Sequence, residues 1–243
     1  MKKALVTGAS RGIGLSIAKK LISEGFMVTG THYKHEIPAF QGSSTHLDSL
    51  RVNFEEAESV ESCLKSVLSD RSFDLLVNNA GIVQDASFMA NDNHWIEVWD
   101  KIMQVNLKSA ALISKWFIES ALAAKKNGIL INISSRAAFR GDTEEYAAYA
   151  ASKAGMAALT KSIARNYSRK GILAYTIAPG FIDTDMAKAS AELLGSAVLT
   201  KDSAFDEITT PEEVANIVGF LSRGEVSHMS GSTFHINGGS YML

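Results

Sequence analysis

Two hydrophobic patterns alternate along this chain, and together they predict its secondary structure. Short apolar runs rich in β-branched residues predict strands at 4–6, 26–29, 75–77, 129–133, 173–177 and 233–236. Longer segments with apolar positions three or four residues apart, such as Ile13, Ile17 and Leu21, predict helices. The first helix follows Gly12, and the others span 60–68, 95–121, 149–167 and 211–221.

The order of these elements predicts the fold class. Strands that alternate with helices form a parallel sheet with helices on both faces, and nearly continuous apolar strands are typical of strands buried on both sides. Residues 35–49 lack a clear period and look like a linker, which is too short to divide domains. Residues 187–206 also lack a period and are expected to form a mobile excursion. We therefore expect one α/β domain over residues 1–243, with a doubly wound parallel sheet.

Composition and charge remove several classes of function. At 243 residues, with 46% hydrophobic and 21% charged residues, the chain is typical of a soluble globular protein. A net charge of −2 argues against general attraction to nucleic acid or an acidic membrane, and no run approaches the roughly 20 apolar residues that span a bilayer. The single Cys63 excludes an intrachain disulfide framework and a cysteine-based zinc site. The histidines lack metal-ligand spacing, so we expect no metal site. Together these features predict a cytoplasmic protein.

A glycine-rich loop follows the first predicted strand and opens the first helix. Its glycines allow a tight turn and let a pyrophosphate approach the backbone, while the helix N-terminus offers free N–H groups. The alternative is a loop that is glycine-rich only for packing. We predict that it binds the phosphates of a dinucleotide through Gly8, Ala9, Ser10, Arg11, Gly12, Ile13 and Gly14.

The end of the second strand indicates which dinucleotide binds. In an NAD site, an acidic residue about 20 residues after the glycine loop, at the end of the second strand, holds the 2′-hydroxyl of the adenosine ribose. Here the second strand, which starts at residue 26, and the residues that follow it carry no acid until Glu36. Arg11, with His32 or Lys34, is placed to face a 2′-phosphate, unless these cations are simply solvated. We therefore predict NADP rather than NAD, with Thr31 and His32 as further cofactor contacts.

A tyrosine and a lysine lie four residues apart, at Tyr149 and Lys153, on one face of a predicted helix. A free tyrosine has a pKa near 10 and is a poor acid–base group at neutral pH. An ammonium about 4 Å away favours the phenolate by up to ~4 kcal/mol, or ~3 pK units. The same spacing is common on exposed helix faces, so its meaning depends on the other motifs.

Five motifs in order resemble the short-chain dehydrogenase/reductase family across almost the whole chain. They are the glycine loop, Asn-Asn-Ala-Gly at 78–81, Asn106 in a helix, Asn-Ile-Ser-Ser at 132–135 and Pro179-Gly180. The stretches 178–186 and 237–242 are similar to the 3-oxoacyl-acyl-carrier-protein reductase branch. The resemblance implies a single Rossmann-type domain in which a nicotinamide cofactor carries out the hydride chemistry.

The resemblance also implies catalytic roles for four residues. Tyr149 would protonate the carbonyl oxygen, and Ser135 would donate a hydrogen bond to it. Lys153 would lower the pKa of the tyrosine and hold the nicotinamide ribose, while Asn106 would anchor a water that relays protons. The spacing from Ser135 to Tyr149 is one residue longer than usual in the family, and choosing Ser134 would lengthen it further.

The remaining cofactor contacts are carried over from the family in the same way. Asn53 and Phe54 fall where the family cradles adenine, and Asn79, Ala80 and Gly81 would line the adenine ribose. Pro179 and Gly180 would lie beside the nicotinamide, with Ile182 and Thr184 at its carboxamide and phosphate side.

Two groups of cations have open roles. In the loop 136–145, Arg136 and Arg140 either pair with neighbouring acids or contact an anionic group of the substrate. A second group lies at helix ends, where basic side chains either remain solvated or dock an acidic carrier protein. This second group consists of Lys125, Lys126, Arg165, Arg169 and Lys170.

These observations favour NADP-dependent reduction of a carbonyl, with a 3-oxoacyl thioester, free or bound to a carrier protein, as the leading substrate. One alternative is a dehydrogenase of a polyol, sugar or cyclic alcohol. An alternative of another class is a nicotinamide-binding sensor without catalysis, against which the Tyr149–Lys153 pair argues. The helices 95–121 and 149–167 look too apolar for one protein face, and the resemblance implies a homotetramer.

Overall fold

A computed structural model of the chain describes residues 1–242, apart from the side chains of residues 186, 189, 190, 193 and 194. Seven strands form one parallel sheet with the order β3-β2-β1-β4-β5-β6-β7. The strands are β1 (Lys3–Val6), β2 (Met27–His32), β3 (Leu47–Arg51), β4 (Leu75–Asn78), β5 (Gly128–Ile133), β6 (Ile172–Pro179) and β7 (Thr233–Ile236). Because β1 pairs with both β2 and β4, the strand order reverses between β1 and β4.

Helices cover both faces of this sheet. They are α1 (Gly12–Ser23), α2 (Ser43–His46), α3 (Ala57–Val60), α4 (Ser66–Asp70), α5 (Asp92–Met103), α6 (Ser109–Ala123), α7 (Ala137–Arg140), α8 (Ala147–Tyr167), α9 (Asp185–Leu194) and α10 (Pro211–Ser222). A π-helical turn, Glu61–Lys65, joins α3 to α4, and a second, Gln104–Lys108, joins α5 to α6. None of the described helices combines the length and apolar character required to cross a bilayer.

The two faces of the sheet bury separate hydrophobic cores. In β1, Ala4 and Val6 face the core under α1 and α10, whereas Leu5 faces the core under α4, α6 and α8. All three side chains are fully buried, which explains why the strand reads as a continuous apolar run. The predicted doubly wound α/β fold is confirmed.

Two segments differ from the sequence prediction. Residues 35–49 do not form only a linker, because they contain α2 and the start of β3. At one edge of the sheet, β3 has half-buried leucines at 47 and 50 and exposed polar residues at 48, 49 and 51 instead of an apolar run. Residues 187–206 were expected to be irregular, yet α9 continues to Leu194 and a 3₁₀ turn follows at Ser196–Leu199. Alanine, leucine, lysine and glutamate favour a helix there without an apolar period.

The two long helices form as predicted, with shifted ends. The helix expected over 95–121 consists of α5, the π-helical turn and α6. It begins after Asn91, whose side-chain oxygen accepts a hydrogen bond from the backbone N–H of His94 at 3.0 Å, and this cap explains the earlier start. The helix expected over 149–167 is α8, which starts two residues earlier.

Candidate active site

The candidate site lies at the carboxyl edge of the sheet, where β1 and β4 meet. Ligands of open α/β sheets bind at this reversal of strand order. The glycine loop after β1 and the loop after β4 are joined by hydrogen bonds: the Asn79 side-chain nitrogen donates to the carbonyl oxygens of Thr7 and Gly8, both at 3.0 Å. The Thr7 hydroxyl accepts from the backbone N–H of Asn79 at 2.9 Å and of Ala80 at 3.0 Å. The two loops therefore form one rigid wall.

The glycines of the first loop are required by its geometry. Gly8 has a φ of 68°, a conformation that favours glycine. A Cβ at Gly14 would collide with the carbonyl oxygen of Gly8. The Gly8 N–H donates to the Thr31 hydroxyl at 2.9 Å, and the Ala9 N–H donates to the Thr31 carbonyl oxygen at 2.8 Å. The buried Thr31, predicted as a cofactor contact, thus holds the loop in place from β2.

The first turn of α1 opens toward the cleft. Arg11 is the extended residue before the helix, and no side chain caps this end. A Cβ at Gly12 would lie 3.0 Å from the Thr184 methyl carbon, so the segment after β6 faces the loop across the cleft. The Arg11 guanidinium forms an exposed ion pair with Asp185 at 2.9 Å. The sequence analysis missed this pair, because 174 residues separate its members.

The ends of β2 and β3 bring a histidine and an arginine side by side, and the arginine supplies a charge suited to a phosphate. His32 and Arg51 are the last residues of β2 and β3 and lie opposite each other in register. Nδ1 of His32 is buried and has no hydrogen-bond partner among the described residues. The Arg51 guanidinium lies 5.6 Å from the ring centroid of Tyr33. Arg51 was not among the predicted cofactor contacts. A basic residue at the end of the third strand could have indicated it, but β3 had not been recognised as a strand.

A phosphate-bearing dinucleotide needs a loop whose glycines leave no room for side chains, a helix end with free N–H groups, and cations nearby. This site has all three. The residues present therefore fit NADP. The two residues predicted to cradle adenine follow β3: the Asn53 side-chain oxygen accepts from the backbone N–H of Glu55 at 3.1 Å. Phe54 is half-buried and packs against the core under α4 and α6. Their local contacts order this turn.

Asn106 lies in the π-helical turn between α5 and α6 and is fully buried. π-Helical turns occur frequently at functional sites. Its side-chain nitrogen donates to the Ile82 carbonyl oxygen at 2.9 Å and to the Ser152 hydroxyl at 3.1 Å, and its oxygen accepts from the Ile82 N–H at 2.8 Å. A Cβ at Gly81 would lie 3.3 Å from the Asn106 side-chain oxygen and 3.2 Å from Nζ of Lys153. The fold therefore brings Asn106 and Lys153 together.

The structure distinguishes the two serines that end β5. Ser134 is buried, and its hydroxyl donates to the backbone carbonyl of Lys153 at 2.8 Å. Ser135 is half-buried, its hydroxyl accepts from the Ala137 N–H at 3.1 Å, and its side chain is close enough to Tyr149 to act on the pKa of that phenol. This arrangement favours Ser135 as the catalytic serine.

The tyrosine–lysine pair differs electrostatically from the sequence prediction. Nζ of Lys153 donates to the Ile133 carbonyl oxygen at 2.9 Å and lies 5.8 Å from the Tyr149 ring centroid. Burial lowers the pKa of Lys153 to about 8. Burial also raises the pKa of Tyr149, the nearby Ser135 side chain acts to lower it, and the charge of Asp142 acts to raise it. The lysine was expected to lower the pKa of the phenol, but desolvation is the largest influence on the half-buried Tyr149.

The segment after β6 forms the opposite wall of the cleft. The Gly180 N–H donates to the Ile236 carbonyl oxygen at 2.8 Å, which ties the segment after Pro179 to β7. Ile182 is buried and forms an isolated parallel bridge. The Thr184 hydroxyl donates to the Ile182 carbonyl oxygen at 3.2 Å. All four residues predicted beside the nicotinamide lie along this wall.

The loop 136–145 separates its two arginines. The guanidinium nitrogens of Arg140 lie 3.9 Å from a carboxylate oxygen of Asp142 and 3.7 Å from one of Asp202, as expected for a surface network. Arg136 is 7% exposed, and no described carboxylate lies within 4.0 Å of it. The predicted network therefore includes Arg140 and not Arg136.

The five cations considered for carrier docking are all exposed at the ends of α6 and α8. None of them forms an ion pair with a described carboxylate. Among residues 1–242, no group of three histidine, cysteine or acidic side chains has the geometry of a metal site. Cys63 is half-buried in the helix formed by α3 and α4.

The doubly wound parallel sheet carries a glycine cradle where its strand order reverses, and serine, tyrosine, lysine and asparagine side chains converge beside that cradle. These features define a nicotinamide-dependent oxidoreductase. A family model described as enoyl-(acyl carrier protein) reductase matches residues 8–241. The chain belongs to the short-chain dehydrogenase/reductase family, as its motifs indicated.

Known proteins similar to this chain fall in that family. The 3-oxoacyl-[acyl-carrier-protein] reductase FabG of Vibrio cholerae is 38% identical over 250 residues, covering 100% of this chain and 98% of the relative. A 2-deoxy-D-gluconate 3-dehydrogenase of Agrobacterium tumefaciens, solved with bound NADP, has a TM-score of 0.87 and 29% identity over 98% of this chain and 96% of its own. A gluconate 5-dehydrogenase of Beutenbergia cavernae, also solved with NADP, has a TM-score of 0.87 and 26% identity, with the same coverage.

Proposed function

We propose that this protein reduces a carbonyl to a secondary alcohol with NADPH, and that its leading substrate is a 3-oxoacyl thioester. The observation that carries the proposal is the convergence of Ser135, Tyr149, Lys153 and Asn106 next to the glycine cradle. A full-length relative that shares 38% of its residues is named as a 3-oxoacyl reductase, which supports the substrate.

NADPH, when bound, supplies the hydride. The Tyr149 hydroxyl holds the proton that the carbonyl oxygen receives, and the raised pKa of the phenol keeps that proton in place at neutral pH. The Ser135 hydroxyl donates a hydrogen bond to the same oxygen, which stabilises the negative charge that develops there. Both groups lie at the carboxyl end of the sheet, which orients the carbonyl toward the cleft.

Lys153 supports the tyrosine from below. An ammonium has three donors; Lys153 donates one to the Ile133 carbonyl oxygen at 2.9 Å and one, weakly, to Sδ of Met156 at 3.7 Å, which leaves one for the nicotinamide ribose hydroxyls. Below pH of about 8 its positive charge also stabilises the phenolate that forms when Tyr149 gives up its proton. Asn106, locked onto the backbone of Ile82, positions the floor of this site and is placed to anchor a water.

The cofactor preference follows from the ends of β2 and β3. Arg11, His32 and Arg51 offer cationic or unpartnered donors where the adenosine ribose of a dinucleotide lies in this fold class. No acidic residue ends β2 to hold a bare 2′-hydroxyl. Solved neighbours of this chain contain NADP, which supports the same choice.

A second candidate is the dehydrogenation of a sugar acid or another free alcohol. Both solved neighbours described above are gluconate-type dehydrogenases, and a buried arginine follows Ser135 directly. A purely cofactor-binding sensor is the weaker reading, because such a protein has no need of the assembled Ser135, Tyr149 and Lys153.

The assembly and location belong to this proposal as well. We infer a cytoplasmic homotetramer that associates through α5 and α8. Phe88, Met89 and Ile96 are 56%, 86% and 51% exposed beside α5, and Trp95 stacks on Trp99 at 5.0 Å. Large exposed apolar side chains of this kind mark interaction surfaces. A sedimentation experiment at micromolar concentration that shows only monomer would contradict the assembly.

The deciding experiment measures NADPH oxidation with an acetoacetyl thioester, and NADP⁺ reduction with gluconate and a cyclic alcohol. Turnover of the thioester alone supports the leading proposal, and turnover of gluconate alone selects the second candidate. Binding of NADPH without turnover of any of them would favour the sensor. A Tyr149→Phe variant controls for contaminating reductases.

A further inference from the structure

Two cationic side chains among the described residues are more than nine-tenths buried. Lys153 is 4% exposed and belongs to the catalytic group; Arg136 is 7% exposed and has no role in it. Burying a charge costs free energy unless the charge is paired or fully hydrogen-bonded. The surroundings of Arg136 therefore bear on what it binds.

The Arg136 guanidinium is only partly satisfied by the protein. It has five N–H donors, and one nitrogen donates to the Ser240 hydroxyl at 2.6 Å. Its Cζ lies 4.7 Å from the ring centroid of Phe181, so the aromatic face covers one side. No described carboxylate lies within 4.0 Å. Most of its donors thus have no acceptor in the described part of the chain.

The electrostatic surroundings favour an incoming anion. Burial lowers the pKa of Arg136 most; among the charges around it, the repulsive charge of Arg140 acts most strongly, and Asp202 and Asp142 act in the opposite direction and more weakly. Asp142 and Asp202 form ion pairs with Arg140, at 3.9 Å and 3.7 Å respectively, and not with Arg136. A negative group beside Arg136 would relieve this imbalance.

The position of the guanidinium is on the substrate side of the cleft. Arg136 follows Ser135 directly, and its backbone N–H donates to the Pro179 carbonyl oxygen at 2.8 Å, at the end of β6. Phe181 and Ser240 belong to the segments that follow β6 and β7. All three segments meet at the carboxyl edge of the sheet, where ligands of this fold class bind.

We propose that Arg136 binds a carboxylate carried by the substrate, so that this protein prefers carbonyl compounds with a free carboxylate to the same compounds esterified. This rests on the proposed carbonyl reduction at Tyr149, and it selects a free acid, as in the second candidate, over the leading thioester substrate, which carries no free carboxylate. The planar guanidinium matches a carboxylate in a two-point hydrogen bond, which a lysine ammonium does not reproduce. The Ser240 hydroxyl, which itself donates to the Asn237 carbonyl oxygen at 2.7 Å, holds the guanidinium in place.

The first test measures binding without chemistry. The thermal midpoint of the protein with NADP⁺ is recorded at constant ionic strength with 3-hydroxybutyrate or its methyl ester, and with gluconate or sorbitol. We expect at least one acid to raise the midpoint while its neutral counterpart does not, because only ligands of the folded state stabilise it. In Arg136→Gln this difference should disappear. Arg140→Gln is the matched control and should keep it, because Arg140 is an exposed, ion-paired arginine at the end of α7, the short helix that follows Arg136.

The second test measures specificity. With acetoacetate and methyl acetoacetate as substrates, Arg136→Gln should lower kcat/KM for the acid about tenfold or more, since hydrogen bonds to charged groups are the strong ones. The value for the ester should change less than about twofold. Arg136→Lys retains the charge and the long side chain, so it tests the geometry where Arg136→Gln folds poorly; it should restore only part of the preference.

These readouts separate this inference from the proposed function. If no substrate turns over but the acid-dependent stabilisation requires Arg136, the reaction is wrong and the carboxylate site stands. If no acid stabilises the wild type, or if Arg136→Gln lowers the acid and ester rates equally, the carboxylate site is wrong. Dissociation of the oligomer in Arg136→Gln, without loss of acid preference, would instead assign the guanidinium to contact with a second copy.

Discussion

On the side of β1, β2 and β3, the candidate site is backbone held by backbone and by short polar side chains. Gly8 and Ala9 are hydrogen-bonded to Thr31, and Asn79 spans the two loops. On the side of β5, β6 and β7, long side chains from distant segments line the cleft, and Arg136 reaches Ser240 across 104 residues. Main-chain atoms set the shape of the first side, so substitutions of side chains change its ligand specificity little. Side chains set the shape of the second side, so substitutions there change substrate specificity, which is how one fold serves many substrates.

The largest effect is expected from the chemistry that joins the two sides. Tyr149→Phe should lower turnover at least ~100-fold, the lower range for a general acid, because the proton for the carbonyl oxygen is lost. NADPH affinity should stay unchanged, as measured by equilibrium fluorescence titration. Turnover close to wild type would remove the proposed mechanism.

Gly14→Ala should break the cofactor side alone. The added Cβ collides with the Gly8 carbonyl oxygen, so the loop must shift at a cost of about 1–3 kcal/mol, which corresponds to roughly fivefold to 150-fold weaker NADPH binding. Thermal unfolding with and without NADPH measures both effects. At Gly25 no atom lies within 4 Å of an added carbon, but the φ of 85° strains alanine, so Gly25→Ala controls for a chain destabilised outside the cradle. Equal cofactor affinity in both variants would contradict the assigned cradle.

The pH profile tests the centre of the site. Because burial lowers the pKa of Lys153 to about 8, the ammonium that supports the phenolate is present below that pH and is lost above it. The rate of carbonyl reduction should therefore fall as pH rises through about 8, by up to about tenfold per pH unit. A rate that stays constant up to pH values near 10 would show that the lysine keeps its ordinary pKa.

Arg51→Gln and Arg11→Ala should sharpen the cofactor side. Each should weaken NADPH binding about tenfold through loss of a charge-assisted contact, while NADH binding changes much less. Arg71→Gln is the matched control, because Arg71 pairs with Asp48 of β3 at 2.7 Å, away from the predicted phosphate. Equal losses for NADPH and NADH would mean that these arginines act on the fold and not on the 2′-phosphate.

The smallest effect is expected outside the cleft. Lys126→Glu with Arg169→Glu should raise KM for a carrier-bound 3-oxoacyl chain about threefold and leave a small thioester unaffected, because rim charges act mainly on encounter. Raised salt should reduce the difference between the variant and the wild type, since exposed charges are screened beyond ~8–10 Å. Equal KM changes for both substrates would argue against a docked carrier.

Sequence reasoning reached the features that depend on neighbours along the chain. The apolar runs predicted the buried strands, the spacing of Tyr149 and Lys153 predicted one helix face, and the glycine loop predicted a tight turn after β1. These are properties of backbone geometry and period, which a few adjacent residues determine. The strand β3 was missed because its two half-buried leucines, Leu47 and Leu50, are separated by polar residues and form no continuous apolar run.

What the sequence by itself determined is the fold class, the order of the elements and the chemistry available at the carboxyl edge of the sheet. Only the tertiary structure decided how those groups are charged and paired: that Arg11 meets Asp185, that Arg51 lies beside His32, that Arg136 is buried without a carboxylate. It also reversed the expected direction of the Tyr149 pKa, because the depth of burial outweighs the nearby lysine. Desolvation and pairing depend on atoms brought together from all parts of the chain, and no local spacing encodes them.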